Sequence, residues 1–216
     1  TRVEVNTISA EMAKVRDYVP DYAVMAHRGS TFWAPEETES AWRWAREMGA
    51  DYLESDLQCT KDGVILANHD DNLKRTTNIE NVYSELVPAT RKAFYMRHGM
   101  SEAEAEKLVA ADKASFRPYY AMSYMYEELL ALDAGSWFNE TSIEQARESF
   151  SEQHQYISAL EDQIRYAEGK MLARDADGER IYTVTGTWNP DKPRDCLTYK
   201  FESVSYTHLR AHETLS

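Results

Sequence analysis

Tyr22-Ala23-Val24-Met25-Ala26 runs into His27-Arg28-Gly29, Tyr52-Leu53 runs into Glu54-Ser55-Asp56, and Val64-Ile65-Leu66-Ala67-Asn68 runs into His69-Asp70. Each apolar stretch reads as a buried strand, and each closes on a polar cluster. In a parallel α/β barrel, side chains at the carboxyl ends of successive strands converge on one rim, where active sites form. Two imidazoles, a guanidinium and two carboxylates on one rim are the groups that metal-assisted phosphoryl chemistry uses.

The connections constrain the path. Residues 36–48 read as a helix with Trp42, Ala45 and Met48 at helical spacing, ended by Gly49. Only twelve residues separate Asp56 from His69, too few for a crossover helix and a returning strand. The chain is therefore expected to descend through Leu57-Gln58-Cys59-Thr60, turn at Lys61-Asp62-Gly63 and climb again, because Asp-Gly favours a tight turn. That path brings His69 to the rim that carries Glu54 and Asp56.

Each group has its own chemistry. Glu54 and Asp56 stand two apart, on one face of a strand and about 7 Å apart along it. Hard carboxylate oxygens suit Mg²⁺ or Ca²⁺; the alternative is a solvated acidic edge, which the preceding apolar run disfavours. His27 and His69 are candidate acid and base, since imidazole titrates near neutrality. Arg28 offers a planar fork to a phosphate, or an ion pair to Glu54, Asp56 or Glu36. Asp70 reads as an orienting group. Glu36 reads as a supporting partner or a favourable charge in a first helical turn. Trp137 reads as a buried aromatic beside Leu132 and Phe138.

The string Ala26-His27-Arg28-Gly29, Pro35-Glu36-Glu37-Thr38, Gly49 to Asp56, Thr60-Lys61-Asp62-Gly63, His69-Asp70, Arg75-Thr76-Thr77-Asn78 and Leu132 to Phe138 resembles the glycerophosphodiester phosphodiesterase family. One departure is Glu37, where the family usually has Asn. The resemblance implies a (β/α)₈ barrel with an insertion after the third strand. It also implies hydrolysis of a glycerophosphodiester to glycerol 3-phosphate and an alcohol. By the same resemblance, His27 and His69 transfer protons, Arg28 holds phosphate, and a divalent Mg²⁺ or Ca²⁺ on Glu54 and Asp56 polarises the phosphoryl group. Two other readings stay open: a phospholipase D-like activity on lysophospholipids, and a non-catalytic binding protein on the same scaffold.

Composition fits this reading. The 216 residues are 43% hydrophobic and 28% charged, enough for a packed core. With 37 acidic and 24 basic residues the net charge is −13, which offers nucleic acid no basic footprint; a small anionic substrate needs local cations instead. No apolar run approaches the roughly 18 residues of a transmembrane segment. Cys59 and Cys196 make neither a disulfide framework nor a zinc cluster, and Cys59 reads as a small core residue. The start lacks both an initiator Met and a hydrophobic signal segment, which fits a removed leader, and so a periplasmic or secreted location, or a fragment.

The organisation expected is an N-terminal barrel part over residues 1–78, opening with a helix over 7–18; a helical insertion over 79–157; and an incomplete return to the barrel over 158–202. Within the insertion, Ser101-Glu102-Ala103-Glu104 is a capping box opening a helix to about Ala114. Further helices are expected over Tyr126–Leu132 and Ser142–Gln153, and a fourth from Ser158 with Leu160, Ile164 and Ala167 on one face. Strands are expected over 181–187 and 197–201. Residues 203–216 have no apolar face, and the stretch from Ser205 to Thr214 reads as a translated sequencing adapter, a non-native tail. A complete barrel of this type takes about 250 residues. The sequence shows three rim-forming strands, and the further metal-binding carboxylate that the resemblance implies on the next strand, in a Glu-x-Lys pattern, has no match between Ile181 and Glu202. The chain as written is therefore expected to be inactive, a truncated barrel lacking part of the site.

Overall fold

The computed structural model describes residues 22–152 and 154–168, together with the strands Leu172–Arg174, Arg180–Tyr182 and Leu197–Ser203. The expected helix over 7–18, Cys196, residues 183–187 and residues 204–216 lie outside the described residues.

The architecture is α/β. Strand β1 (Met25–Ala26) leads through helix α1 (Glu39–Glu47) to β2 (Tyr52–Cys59), with β1 and β2 parallel. Thr38 caps α1 by accepting from the Ala41 amide. Gly49, at φ +88°, ends the helix in a conformation that costs glycine little. Trp42 and Ala45 of α1 are buried, but Met48 is exposed, because it is the cap residue and the chain leaves the helix axis there.

The path after Asp56 differs from the expected descent. β2 continues through the cluster to Cys59 without reversing. The reversal comes at Lys61-Asp62-Gly63, where the Thr60 hydroxyl donates to Asp62 and accepts from the Val64 amide. Strand β3 (Ile65–Ala67) then returns antiparallel to β2, pairing Leu57 with Ala67 and Cys59 with Ile65. The hairpin thus projects beyond the rim and comes back to it. One consequence is that Cys59 is exposed rather than in the core, since the outer half of β2 has a solvent face.

The third strand parallel to β2 is strand β6 (Leu197–Ser203), so the stretch 64–68 is not a rim strand of the same direction. β6 pairs along one edge of β2 from Tyr52 to Leu57, while β1 and β3 follow one another along the other edge. Three parallel strands in the order β1, β2, β6 match the opening of a parallel barrel. Among the described residues, β1 and β6 each pair with β2 alone. Ser203, the first residue of the expected tail, is the last residue of β6. β4 (Leu172–Arg174) and β5 (Arg180–Tyr182) form a separate antiparallel pair.

Between β3 and β4 the chain is mainly helical: α2 (Ile79–Val82), α3 (Arg91–Arg97), α4 (Glu102–Ser115), α5 (Tyr126–Leu129), α6 (Trp137–Thr141), α7 (Ser149–Glu152) and α8 (Leu160–Ala167). The capping box opens α4 as expected, with Ser101 and Glu104 exchanging hydrogen bonds. α5 stops at Leu129, short of Leu132. The helix expected over Ser142–Gln153 is broken because Asn139 grips the Arg147 backbone at both its N–H (2.9 Å) and its C=O (2.7 Å). Only a short 3₁₀ turn and α7 remain of it. α8 buries Gln163, Tyr166 and Ala167, while Ile164 is exposed: its inward face is rotated from the expected one.

Two apolar clusters fix the site's supports. Trp42, Ala45, Leu53, Ala67, Tyr166 and Ala167 clamp α1 and α8 onto the sheet. Leu66, Leu73, Ile79, Tyr124, Leu129 and Leu132 seat the helical segment against β3. Trp137 packs half-buried on Phe138, away from Leu132, and donates its indole N–H to the Ala134 carbonyl. No helix among the described residues is long and apolar enough to cross a membrane.

Candidate active site

The turn after β1 sets the site. Arg28 and Gly29 both adopt positive φ, +55° and +86°. A Cβ on Gly29 would lie 2.6 Å from the Ala41 side chain, so glycine alone lets this turn dock on α1. The sharp turn aims the Arg28 amide at Glu54 Oε2 (2.8 Å) and its Nε at Asp56 Oδ2 (2.9 Å). Glu54 and Asp56 are both buried, on β2 just past the end of β1 and alongside β6.

One ligand atom from each of His27, Glu54 and Asp56 lies within 4.8 Å of the others. Among the described residues, Glu54 Oε1 is buried without a hydrogen-bond partner. A buried carboxylate oxygen with nothing to neutralise it is costly, and a divalent cation is the kind of group this oxygen fits. The set is rich in hard oxygen, which suits Mg²⁺ or Ca²⁺. His27 is exposed, while the two carboxylates are not.

Glu37 lies beneath this pair. Its carboxyl accepts from the Ser55 hydroxyl (2.6 Å) and the Asp56 amide (2.9 Å), and its own amide donates to the Arg28 carbonyl. Burial pushes the Glu37 carboxyl well above the usual carboxylate range, and the charges of Asp56 and Glu54 act in the same sense.

His69 reaches the rim by the hairpin. The Asn68 amide donates to the Asp56 carbonyl (2.9 Å), and Gln58 donates to the His69 carbonyl (3.1 Å). His69 Nδ1 lies 2.5 Å from Asp70 Oδ1. Burial disfavours the Asp70 carboxylate, but hydrogen bonds from Arg75 and His69 outweigh it and hold its pKa below the usual range. Glu36 accepts from both arginines: 2.6 and 3.2 Å from Arg75, 3.4 Å from Arg28.

One residue escaped the sequence reading. Arg75 was part of the matched string without a role, and its position between two acidic residues of distant segments is a tertiary fact. Glu202 stands in register with Asp56 across the parallel β2–β6 pair.

Two buried carboxylates, an imidazole and a guanidinium thus meet where β1 ends beside β2. The chain belongs to the glycerophosphoryl diester phosphodiesterase family, whose profile matches residues 27–196. It is 31% identical over 126 residues to a glycerophosphodiester phosphodiesterase of Bacillus subtilis strain 168, covering 58% of this chain and 30% of that protein. It is 49% identical over 57 residues to a glycerophosphodiester phosphodiesterase of Caldanaerobacter subterraneus, covering 26% and 24%. The chain thus spans less than a third of either relative. Among solved structures it is similar to a glycerophosphodiester phosphodiesterase from Agrobacterium tumefaciens (25% identity, TM-score 0.40, covering 68% of this chain and 43% of that one). Another is an Oleispira antarctica phosphodiesterase in complex with the product sn-glycerol-3-phosphate (24% identity, TM-score 0.42, covering 70% and 43%).

Proposed function

We propose that this chain carries the N-terminal part of a metal-dependent hydrolase that cleaves glycerophosphodiesters to glycerol 3-phosphate and an alcohol. The observation that carries the reading is the convergence of His27, Glu54 and Asp56 within 4.8 Å, with the Arg28 guanidinium against Asp56. Glu54 and Asp56 are the oxygen ligands. A bound Mg²⁺ or Ca²⁺ would supply Lewis-acid polarisation of the phosphoryl oxygen. Arg28 holds a phosphate oxygen through the side of its fork not committed to Asp56. Of His27 and His69, one imidazole takes a proton from the attacking hydroxyl and the other gives one to the leaving alkoxide. Hydroxyl attack breaks the ester P–O bond, and the alcohol leaves with that proton.

Calorimetry on residues 1–216 is expected to show Mg²⁺ or Ca²⁺ binding that disappears when Glu54→Gln and Asp56→Asn are combined. sn-Glycerol 3-phosphate should bind only with metal present. Absence of both would overturn the reading. Release of glycerol 3-phosphate from glycerophosphocholine, assayed with each metal, checks the reaction and tests the expected low activity of these 216 residues.

A second reading, phospholipase D-like cleavage of lysophospholipids, is favoured by Phe32 and Trp33. They lie exposed, Phe32 61% so, in the loop that follows Arg28. An aromatic lip beside a phosphate site suits an acyl chain or lipid interface. Faster turnover of lysophosphatidylcholine than of glycerophosphocholine, lost in Phe32→Ser, would decide for it.

A further inference from the structure

The geometry points to Arg75 as a positioning residue: one guanidinium ties the phosphate-holding Arg28 and the proton-transferring His69 into a single arc. The inference rests on the function proposed above. It begins from how completely the Arg75 fork is used. Nε donates to Asp70 Oδ2 at 2.6 Å, Nη2 to Glu36 Oε1 at 2.6 Å, and Nη1 to Glu36 Oε2 at 3.2 Å. Each carboxylate then hands the constraint on. Asp70 turns its other oxygen to His69 Nδ1, and Glu36 Oε1 also accepts from Arg28 Nη1.

The arc therefore runs Arg28, Glu36, Arg75, Asp70, His69, joining the β1–α1 loop to the segment after β3. These segments share no strand pairing with each other, since each reaches the sheet through β2. Arg75 is 44% exposed on its side chain, while Glu36 is only 12% exposed, so the bridge closes over the rim from the solvent side. The planar fork matters. Lysine has one ammonium and cannot meet Asp70 along one edge while gripping both oxygens of Glu36. Asp70, carrying Nδ1 on one oxygen, leaves His69 Nε2 directed away from it, and this fixes the ring for proton transfer.

The test uses a readout that does not depend on turnover. In the 216-residue chain, the downfield ring N–H proton resonance of His69, identified by its loss in His69→Asn, is expected in the parent. It should vanish in Asp70→Asn and in Arg75→Ala, and persist in Glu36→Gln, which disturbs the Arg28 contact and two of the three Arg75 bonds but leaves Arg75 Nε on Asp70. With Ca²⁺ present, affinity for sn-glycerol 3-phosphate should fall about fivefold in Arg75→Ala and Glu36→Gln, the order a partly exposed ion pair supports. Asp70→Asn should change it less. Arg75→Lys should behave as Arg75→Ala, and it serves as the folded variant if the alanine variant does not fold. A purely structural role would lower the melting temperature without separating the two halves. An unchanged His69 resonance in either folded Arg75 variant would overturn the inference. If the parent binds neither metal nor glycerol 3-phosphate, the proposed function falls, while the resonance still reports whether Arg75 orders His69.

Discussion

Glu37 holds an αL backbone, φ +58°, with both carboxyl oxygens spent on β2. Its substitution should be felt by the strand beneath the site. Glu37→Ala leaves the Ser55 hydroxyl and the Asp56 amide buried without an acceptor, at about 1–3 kcal/mol for each orphaned group. Glu37→Gln keeps an acceptor for the amide and a donor for the hydroxyl, so thermal denaturation should rank parent, Gln, then Ala. His27 poses a different question at this scale, because it stands with the carboxylates in the candidate metal set. Hard cations prefer the oxygens. His27→Ala should therefore leave Ca²⁺ affinity largely unchanged in calorimetry while lowering kcat, in a complete barrel, by about 10²–10⁴; loss of Ca²⁺ binding would move His27 into the ligand set. The candidates His27, Arg28, Glu54, Asp56 and His69 were picked out by the apolar runs that precede them, although β2 runs on past Glu54 and Asp56. The contacts of Glu37 were not, since they depend on a positive-φ turn brought beneath a strand 18 residues away.

At the scale of elements, the helical segment is fastened to the hairpin tip by a buried ionic knot. Arg91, fully buried on α3, meets Asp112 at 2.6 Å and Glu128 at 2.7 and 2.9 Å, and donates to the Ser123 carbonyl. Lys61 at the tip reaches the other oxygen of Asp112 at 2.9 Å, and the Tyr95 hydroxyl donates to Asp112. Burial, aided by Asp112, pushes the Tyr95 hydroxyl up to about 12. Removing Arg91 strands two acidic groups, so Arg91→Ala should cost about 3–5 kcal/mol in chemical denaturation. Burial opposes ionisation of Asp112, but bonds from Lys61, Tyr95 and Arg91 outweigh it and lower its pKa. A carboxylate depressed on folding stabilises above its unfolded pKa and loses that contribution as pH falls through the folded value. Melting temperatures should therefore drop from neutral pH into the acid range, and Asp112→Asn should flatten that slope. Local signals revealed the capping box of α4 and the turn at Asp62-Gly63. They did not reveal α3, where Arg91 is held by partners from three segments, nor the break at Arg147, where Asn139 outcompetes helix propensity from eight residues away.

At the scale of the molecule, the parallel order of β1 and β2 followed from two strand-ending clusters joined by a helix. β6 did not, because its partner is chosen by sheet geometry across more than a hundred residues of intervening chain. β3 was read as climbing to the rim, but it runs antiparallel to β2 and reaches the rim from beyond it. That it pairs with a continuing β2 rather than climbing beside a descending chain became visible only in the register. The net charge of −13 makes a last prediction: glycerol 3-phosphate should associate faster as salt rises from about 0.01 to 0.15 M, because the general repulsion is screened while the close Arg28 contact persists. Slower association with salt would mean that a local cationic field dominates approach. β2 itself has a further consequence. It is flanked on both edges, pinned from below by Glu37, and prolonged into the hairpin that anchors the helices. Its amides should be the last in the chain to exchange with heavy water. The carboxylates would then be held in place before any cation arrives, and loading would proceed like docking to a rigid receptor, with little heat-capacity change and no slow ordering phase.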